Sequence, residues 1–180
     1  MARQAQFRES GQEAFLLLHN MMGLLTKVEE TTYSNQAGIS YPQFLILITV
    51  ESSEPPVSQT TISKKIQRNL NTISMIVDRM EKLGLVKRVR SEEDRRETHV
   101  SLTPLGKEKL AKAIKVGSGL KDRLSAALSD EDLEQGMRLM AKFRDQILKE
   151  MGREPMPLES GRTTRRRIVD VFRKNLSDPK

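Results

Sequence analysis

The chain has 180 residues, no cysteine, 4% aromatic residues and a formal net charge of +7. Without Cys there is no disulfide framework, thiolate metal site or redox-sensing thiol, and the cytoplasm is the expected compartment. A hydrophobic content of 37% with so few aromatics suits helices packed through Leu, Ile and Met, and the excess positive charge admits nucleic acid or an anionic membrane as partner.

Apolar residues at Phe15, Leu18, Met22, Leu25 and Val28 recur at spacings of three and four, which predicts a long helix over about Ser10 to Asn35. Leu16, Leu17, Met21 and Leu24 widen the stripe beyond a single buried seam, so part of it is expected to meet another subunit. Ala14 to Leu25 is interrupted by His19 and Asn20, is followed by no cleavage pattern and is too short to cross a bilayer. Neither a signal peptide nor a membrane partner is expected.

Ile39-Ser40-Tyr41-Pro42-Gln43-Phe44 carries a capping box, Ser40 with Gln43, and a candidate staple between Ile39 and Phe44. The second helix runs from Tyr41 to about Glu51, apolar nearly all round and therefore buried, and Pro55-Pro56 closes it off. Ser58 caps a short helix ending near Gln67, and Asn69 caps another that reaches Leu83. This last helix places Ile73, Ile76, Val77, Met80 and Leu83 on one side. Asn71, Thr72, Ser74, Met75, Asp78, Arg79 and Lys82 lie on its other faces, and Gly84 supplies the stop.

Leu85 to Arg90 and Glu97 to Leu102 read as a β-hairpin with a charged tip from Ser91 to Arg96. Thr103-Pro104 starts another helix, with Leu110, Ile114, Gly117, Leu120, Leu124 and Leu128 on its buried side and Gly117 and Gly119 as candidate points for a bend. Ser129 with Asp130, Glu131 and Asp132 opens the last long helix, whose period continues through Leu133, Met137, Met140, Ile147 and Met151. Beyond Gly152 lies a linker and basic tail containing Arg165-Arg166-Arg167. Ile168, Val171, Phe172 and Leu176 could line one face of a short terminal helix there.

Helix, tight turn, helix and charged hairpin is the order of a winged helix-turn-helix, in which the second short helix enters the major groove and the hairpin reaches the neighbouring minor groove. From Val57 to Arg90 eight basic residues face two acidic ones, so the positive excess is concentrated there. Asn71, Thr72 and Ser74 are candidates for base-edge or phosphate contact, with Met75 and Arg79 on the same helix. Ser58 is counted with this DNA-facing set. Lys64, Lys65 and Arg68 fit either phosphate contacts or a solvated face. Arg95 and Arg96 suit the negative potential of a narrow minor groove, and Asp94 is expected to orient one of them. His19 and His99 lack metal-pair spacing, no nucleophile elbow or phosphate-cradling loop is present, and neither an enzyme nor a cofactor or metal is expected.

The runs Val77-Asp78-Arg79-Met80-Glu81-Lys82-Leu83-Gly84-Leu85-Val86, Asp94-Arg95-Arg96 and Val100-Ser101-Leu102-Thr103-Pro104-Leu105-Gly106 resemble the multiple-antibiotic-resistance regulator (MarR) family of winged-helix transcription factors, over about Ile39 to Leu110. The resemblance implies a mainly α fold with a two-stranded β wing and long N- and C-terminal dimerisation helices. The corresponding division is 1–36 dimerisation helix, 37–103 DNA-binding lobe, 104–151 dimerisation helices and 152–180 basic extension.

It further implies a homodimer on a pseudo-palindromic operator in double-stranded DNA, a repressor released by a small-molecule effector. For an effector pocket His19, Met22, Tyr33 and Phe44 are candidates, with core packing as the competing reading. Two departures stand out: Met75 occupies a position where relatives often carry a DNA-contacting Arg, and the basic tail is longer than usual for the family. The absence of Cys excludes the peroxide sensing of thiol-bearing relatives. A winged helix that serves as a protein-interaction or assembly module, without specific DNA binding, is the alternative.

Overall fold

Helix α1 spans Ala2–Thr32 and widens into a π-helical turn, Tyr33–Ala37, that ends at Gly38 with φ 69°. The structure, a computed structural model, describes residues 2–90, 98–154, 168–173 and 175. α1 starts earlier than its apolar stripe suggests, because Ala2 to Gln6 carry good helix formers without any apolar periodicity to mark them.

Helix α2 (Tyr41–Glu51) begins with the expected box: the Ser40 amide donates to Gln43 Oε1 at 2.8 Å and the Gln43 amide to Ser40 Oγ at 3.4 Å. Phe44, Ile46, Leu47, Ile48 and Val50 are buried, so α2 is the central rod of the lobe. Around it pack α3 (Gln59–Ile66), α4 (Leu70–Lys82) and the antiparallel strands β1 (Val86–Arg90) and β2 (Thr98–Leu102). The strand register pairs Val86 with Leu102 and Arg90 with Thr98. The free edge of β2 is covered by the segment before α3, where the Val100 amide donates to the Val57 carbonyl at 2.8 Å and Ser58 bridges His99.

α5 (Pro104–Ser125) is capped by Thr103, whose hydroxyl accepts from the Gly106 amide at 3.0 Å and donates to the Gly84 carbonyl at 2.5 Å. That pair of bonds ties the end of the hairpin to the end of α4. Any Cβ at Gly106 would collide with the Leu85 carbonyl, so the close approach of α5 to the residue that leads into β1 requires glycine there. α5 runs uninterrupted through Gly117 and Gly119. The missing Cβ of Gly117 admits the Tyr33 hydroxyl, and packing accounts for this glycine where the sequence suggested a bend.

α6 (Asp130–Glu150) follows, with a Ser129–Asp132 capping box. The hydrogen bonds from Ser129, side chain first and then backbone, hold the Asp132 carboxyl below the usual carboxylate range. Residues 168–173 are helical, and Ile168, Val171 and Phe172 pack against the core, with Lys121 Nζ 5.1 Å from the centre of the Phe172 ring. Leu176 and the arginine run 165–167 lie outside the described residues.

The core joins Ile39, Ile46, Leu47, Ile62, Ile73, Val77, Met80, Val86, Leu110 and Ile114 into one cluster. Three expected core positions differ. Leu83 caps α4 and stays exposed, and Leu124 and Leu128 are half exposed in the single chain because none of its described elements covers the far end of α5. The broad rows on α1 and α6 are uncovered as well: Leu17 is 70% and Leu139 65% exposed. Among the described residues no helix is long and apolar enough to cross a membrane.

Candidate nucleic-acid interface

The turn between α3 and α4 is built by its own backbone. Gln67 takes the left-handed conformation at φ 57°, the Ser63 hydroxyl donates to the Arg68 carbonyl at 2.6 Å, and the Arg68 amide donates to the Ser63 carbonyl at 3.1 Å. Lys64 and Lys65 sit in the last turn of α3, where cations complement the helix dipole, and both are exposed together with Arg68. Lys65 Nζ donates to Ser53 Oγ at 2.7 Å, which anchors it toward the loop after α2.

α4 opens on Asn69, whose Oδ1 accepts from the Asn71 amide at 3.0 Å. Ile73, Val77 and Met80 are fully buried and fix the rotation of the helix about its axis. The outward face then carries Asn71, Thr72, Met75, Arg79 and Lys82, all exposed, with Ser74 half-buried beside them. Ser74 and Asn71 line a cleft of about 260 Å³ with Ser58, Gln59, Thr60, Leu70 and Thr98. Ser58 is buried, and its hydroxyl accepts from the Thr61 amide at 3.1 Å, so its polar capacity is used in capping α3.

The two acidic residues of α4 are both taken up by Arg88 on β1. Arg88 donates from its backbone amide to Glu81 Oε1 at 3.1 Å, from Nε to Glu81 Oε2 at 2.8 Å and from a terminal nitrogen to Asp78 Oδ1 at 2.6 Å. The side-chain hydrogen bond and then the backbone one hold the Glu81 carboxyl below its ordinary value. The carboxylates of α4 are thus paired with a cation, and the hairpin is fixed to the flank of the helix.

Asp94, Arg95 and Arg96 lie outside the described residues. Among the effector-pocket candidates, Tyr33 and Phe44 are core residues whose rings stack at 4.6 Å, with Tyr41 5.3 Å from Tyr33. Burial pushes the Tyr33 phenol well up, and Tyr41 is pushed up to about 12 by burial and by the Glu29 carboxylate, to which it donates. His19 and Met22 are exposed further back on α1, with His19 5.7 Å from the Phe15 ring. The 11 residues from Met22 to Tyr33 span about 16 Å of helix, so one small pocket does not gather all four. Met22 lines an apolar cleft of about 450 Å³ between α1 and α6 with Leu18, Met140, Phe143 and Ile147, and Gln67 reaches its edge.

Sequence reasoning missed Gln59, Thr60, Leu70 and Thr98 in the cleft beside α4, and the bonds of Arg88. Asp78 and Glu81, three apart on one helix with Arg88 just past Gly84, were the available signal for the second.

A helix, tight turn and helix on a three-helix core, followed by a two-stranded hairpin, define a winged helix-turn-helix protein. A family model, that of the MarR family, matches residues 39–98. The HTH-type transcriptional regulator MgrA of Staphylococcus aureus is 33% identical over 116 residues, 61% of this chain and 76% of the relative. The chain belongs to the MarR family. FabT of Streptococcus pneumoniae in complex with DNA has a TM-score of 0.65 at 21% identity, covering 78% of this chain and 98% of that one. The MepR–DNA complex of S. aureus has a TM-score of 0.68 at 20% identity, covering 73% and 96%. These two likenesses concern the fold.

Proposed function

We propose that this protein is a sequence-specific transcriptional regulator that binds double-stranded DNA as a homodimer. Two α4 helices, related by a two-fold axis, read a pseudo-palindromic operator with half-sites about one helical turn apart. The observation that carries this reading is the outward face of α4, where Asn71, Thr72, Met75, Arg79 and Lys82 are presented while Ile73, Val77 and Met80 lock the helix to the core. FabT and MepR were both solved with DNA, which supports the same use of this fold.

In this reading Asn71, Thr72 and Ser74 contact bases, and Lys64, Lys65 and Arg68 contact phosphates and set the register. Arg95 and Arg96 enter the minor groove, oriented by Asp94. The uncovered apolar rows of α1 and α6, with the end of α5, form the dimer contact, and residues 37–103 form the lobe. The protein acts as a repressor. A small-molecule effector changes the spacing of the lobes and lowers DNA affinity.

Selection of bound sequences from a random duplex pool tests the reading. A two-fold symmetric sequence is expected to be enriched, and the double variant Asn71→Ala, Ser74→Ala is expected to lose the preference while still binding duplexes in a salt-dependent way. A pool with no enriched sequence sinks the proposal and leaves a protein-interaction module.

A further inference from the structure

Met75 is the apolar residue at the middle of the outward face of α4. It lies four residues after Asn71, three after Thr72 and four before Arg79, hence on one stripe with them, and it is 59% exposed. The neighbouring buried positions Ile73, Val77 and Met80 already fill the inner side of the helix, so Met75 is not a core residue displaced outward. A thioether offers no donor and only a weak acceptor, so it cannot replace the bidentate hydrogen bonding by which arginine or asparagine reads a purine. In the major groove one base-edge group rewards an apolar side chain, the C5 methyl of thymine.

We infer that Met75 reads a thymine methyl in each half-site, making this residue a specificity determinant for a 5-methylpyrimidine. The inference rests on the DNA-binding reading above. Asn71 and Met75 are separated by about 6 Å along the helix, against about 3.4 Å between successive bases on a strand. The thymine therefore falls within about two base pairs of the base met by Asn71. Met75 is flexible and polarisable, so it can follow a methyl group whose position varies with local groove shape.

The test is a thymine scan of the operator selected from the random pool, with deoxyuridine substituted for one thymine at a time. This change removes the methyl and leaves base pairing and every hydrogen-bonding group intact. One position in each half-site is expected to lose about fourfold in affinity for the native protein, the loss that matches burial of one methyl group. Met75→Ala and Met75→Gln are expected to bind the thymine and deoxyuridine operators equally, while Met75→Leu keeps the difference. A methyl dependence that is absent, or that persists unchanged in Met75→Ala, overturns the inference and leaves the DNA-binding reading standing. A pool that enriches no sequence overturns that reading and this inference together.

Discussion

Arg88 on β1 holds Glu81 on α4 by both its backbone amide, 3.1 Å from Oε1, and its side-chain Nε, 2.8 Å from Oε2. The same guanidinium reaches Asp78, so one residue of the hairpin determines where the hairpin stands relative to the helix proposed to read DNA.

Arg88→Ala is expected to cost about 1 kcal/mol of stability, because the pair is partly exposed and screened. It is expected to weaken DNA binding more, by roughly tenfold, since it frees two carboxylates beside a polyanion. Arg88→Lys keeps the charge without the fork and should fall between the two. The folded pKa of Glu81 is depressed below its ordinary 4.5, so its contribution to stability is full above that pH and lost as pH falls through the folded value. Acid unfolding curves of native protein and Glu81→Gln, with binding titrations of the Arg88 variants, check both halves.

Gly117 and Gly119 stand two residues apart on α5 and should respond oppositely to alanine. At Gly117 a Cβ collides with the Tyr33 hydroxyl, and Gly117→Ala is expected to destabilise by about 1–3 kcal/mol. At Gly119 the nearest group is the flexible Arg123 side chain at 3.5 Å, and Gly119→Ala is expected to gain up to about 1 kcal/mol in helix propensity. Adding Tyr33→Phe to Gly117→Ala should restore part of the loss. Urea unfolding midpoints measure all three.

Tyr33 and Tyr41 are the two tyrosines of the chain. Burial disfavours both phenolates, so the folded protein is expected to show little phenolate absorbance at pH 10, where a free tyrosine is half ionised. The folded pKa values lie above the unfolded ones. Their contribution to stability is therefore full below about pH 10 and lost as pH rises through the folded values, about 12 for Tyr41. Spectrophotometric titration of folded and denatured protein gives the comparison. Half-ionisation near pH 10 in the native state would contradict the packing of this cluster.

Leu17→Arg and Leu139→Arg alter side chains that a single chain leaves largely in water, so neither should cost more than about 0.5 kcal/mol within a protomer. In the proposed dimer each places a charge in an apolar contact. Sedimentation is expected to find dimers of the native protein and single chains of the variants, with DNA affinity falling as the second half-site is lost. Native protein that sediments as single chains at micromolar concentration would refute the homodimer.

Much of the fold was legible because its signals are local. The box at Ser40, the caps at Asn69, Thr103 and Ser129 and the stop at Gly84 involve residues a few positions apart, and the period of Ile73, Val77 and Met80 fixes which side of α4 faces inward. The apolar period was less informative at Leu83, Leu124 and Leu128, since it records that a side chain favours burial without recording whether the same chain supplies a cover. Tyr33 and Phe44 were ambiguous between pocket and core for the same reason.

By itself, then, the sequence determined the order of helices and hairpin, the family, and the α4 residues that lie off the core side, Asn71, Thr72, Ser74, Met75, Asp78, Arg79 and Lys82, because caps and periodicity act within one or two turns. The tertiary structure alone decided that Arg88 reaches back over Gly84 to Glu81 and Asp78, that Gly117 makes room for Tyr33, and that Leu124 and Leu128 remain half exposed. Those outcomes depend on how separate elements cross, and crossing geometry is a property of the packed core as a whole.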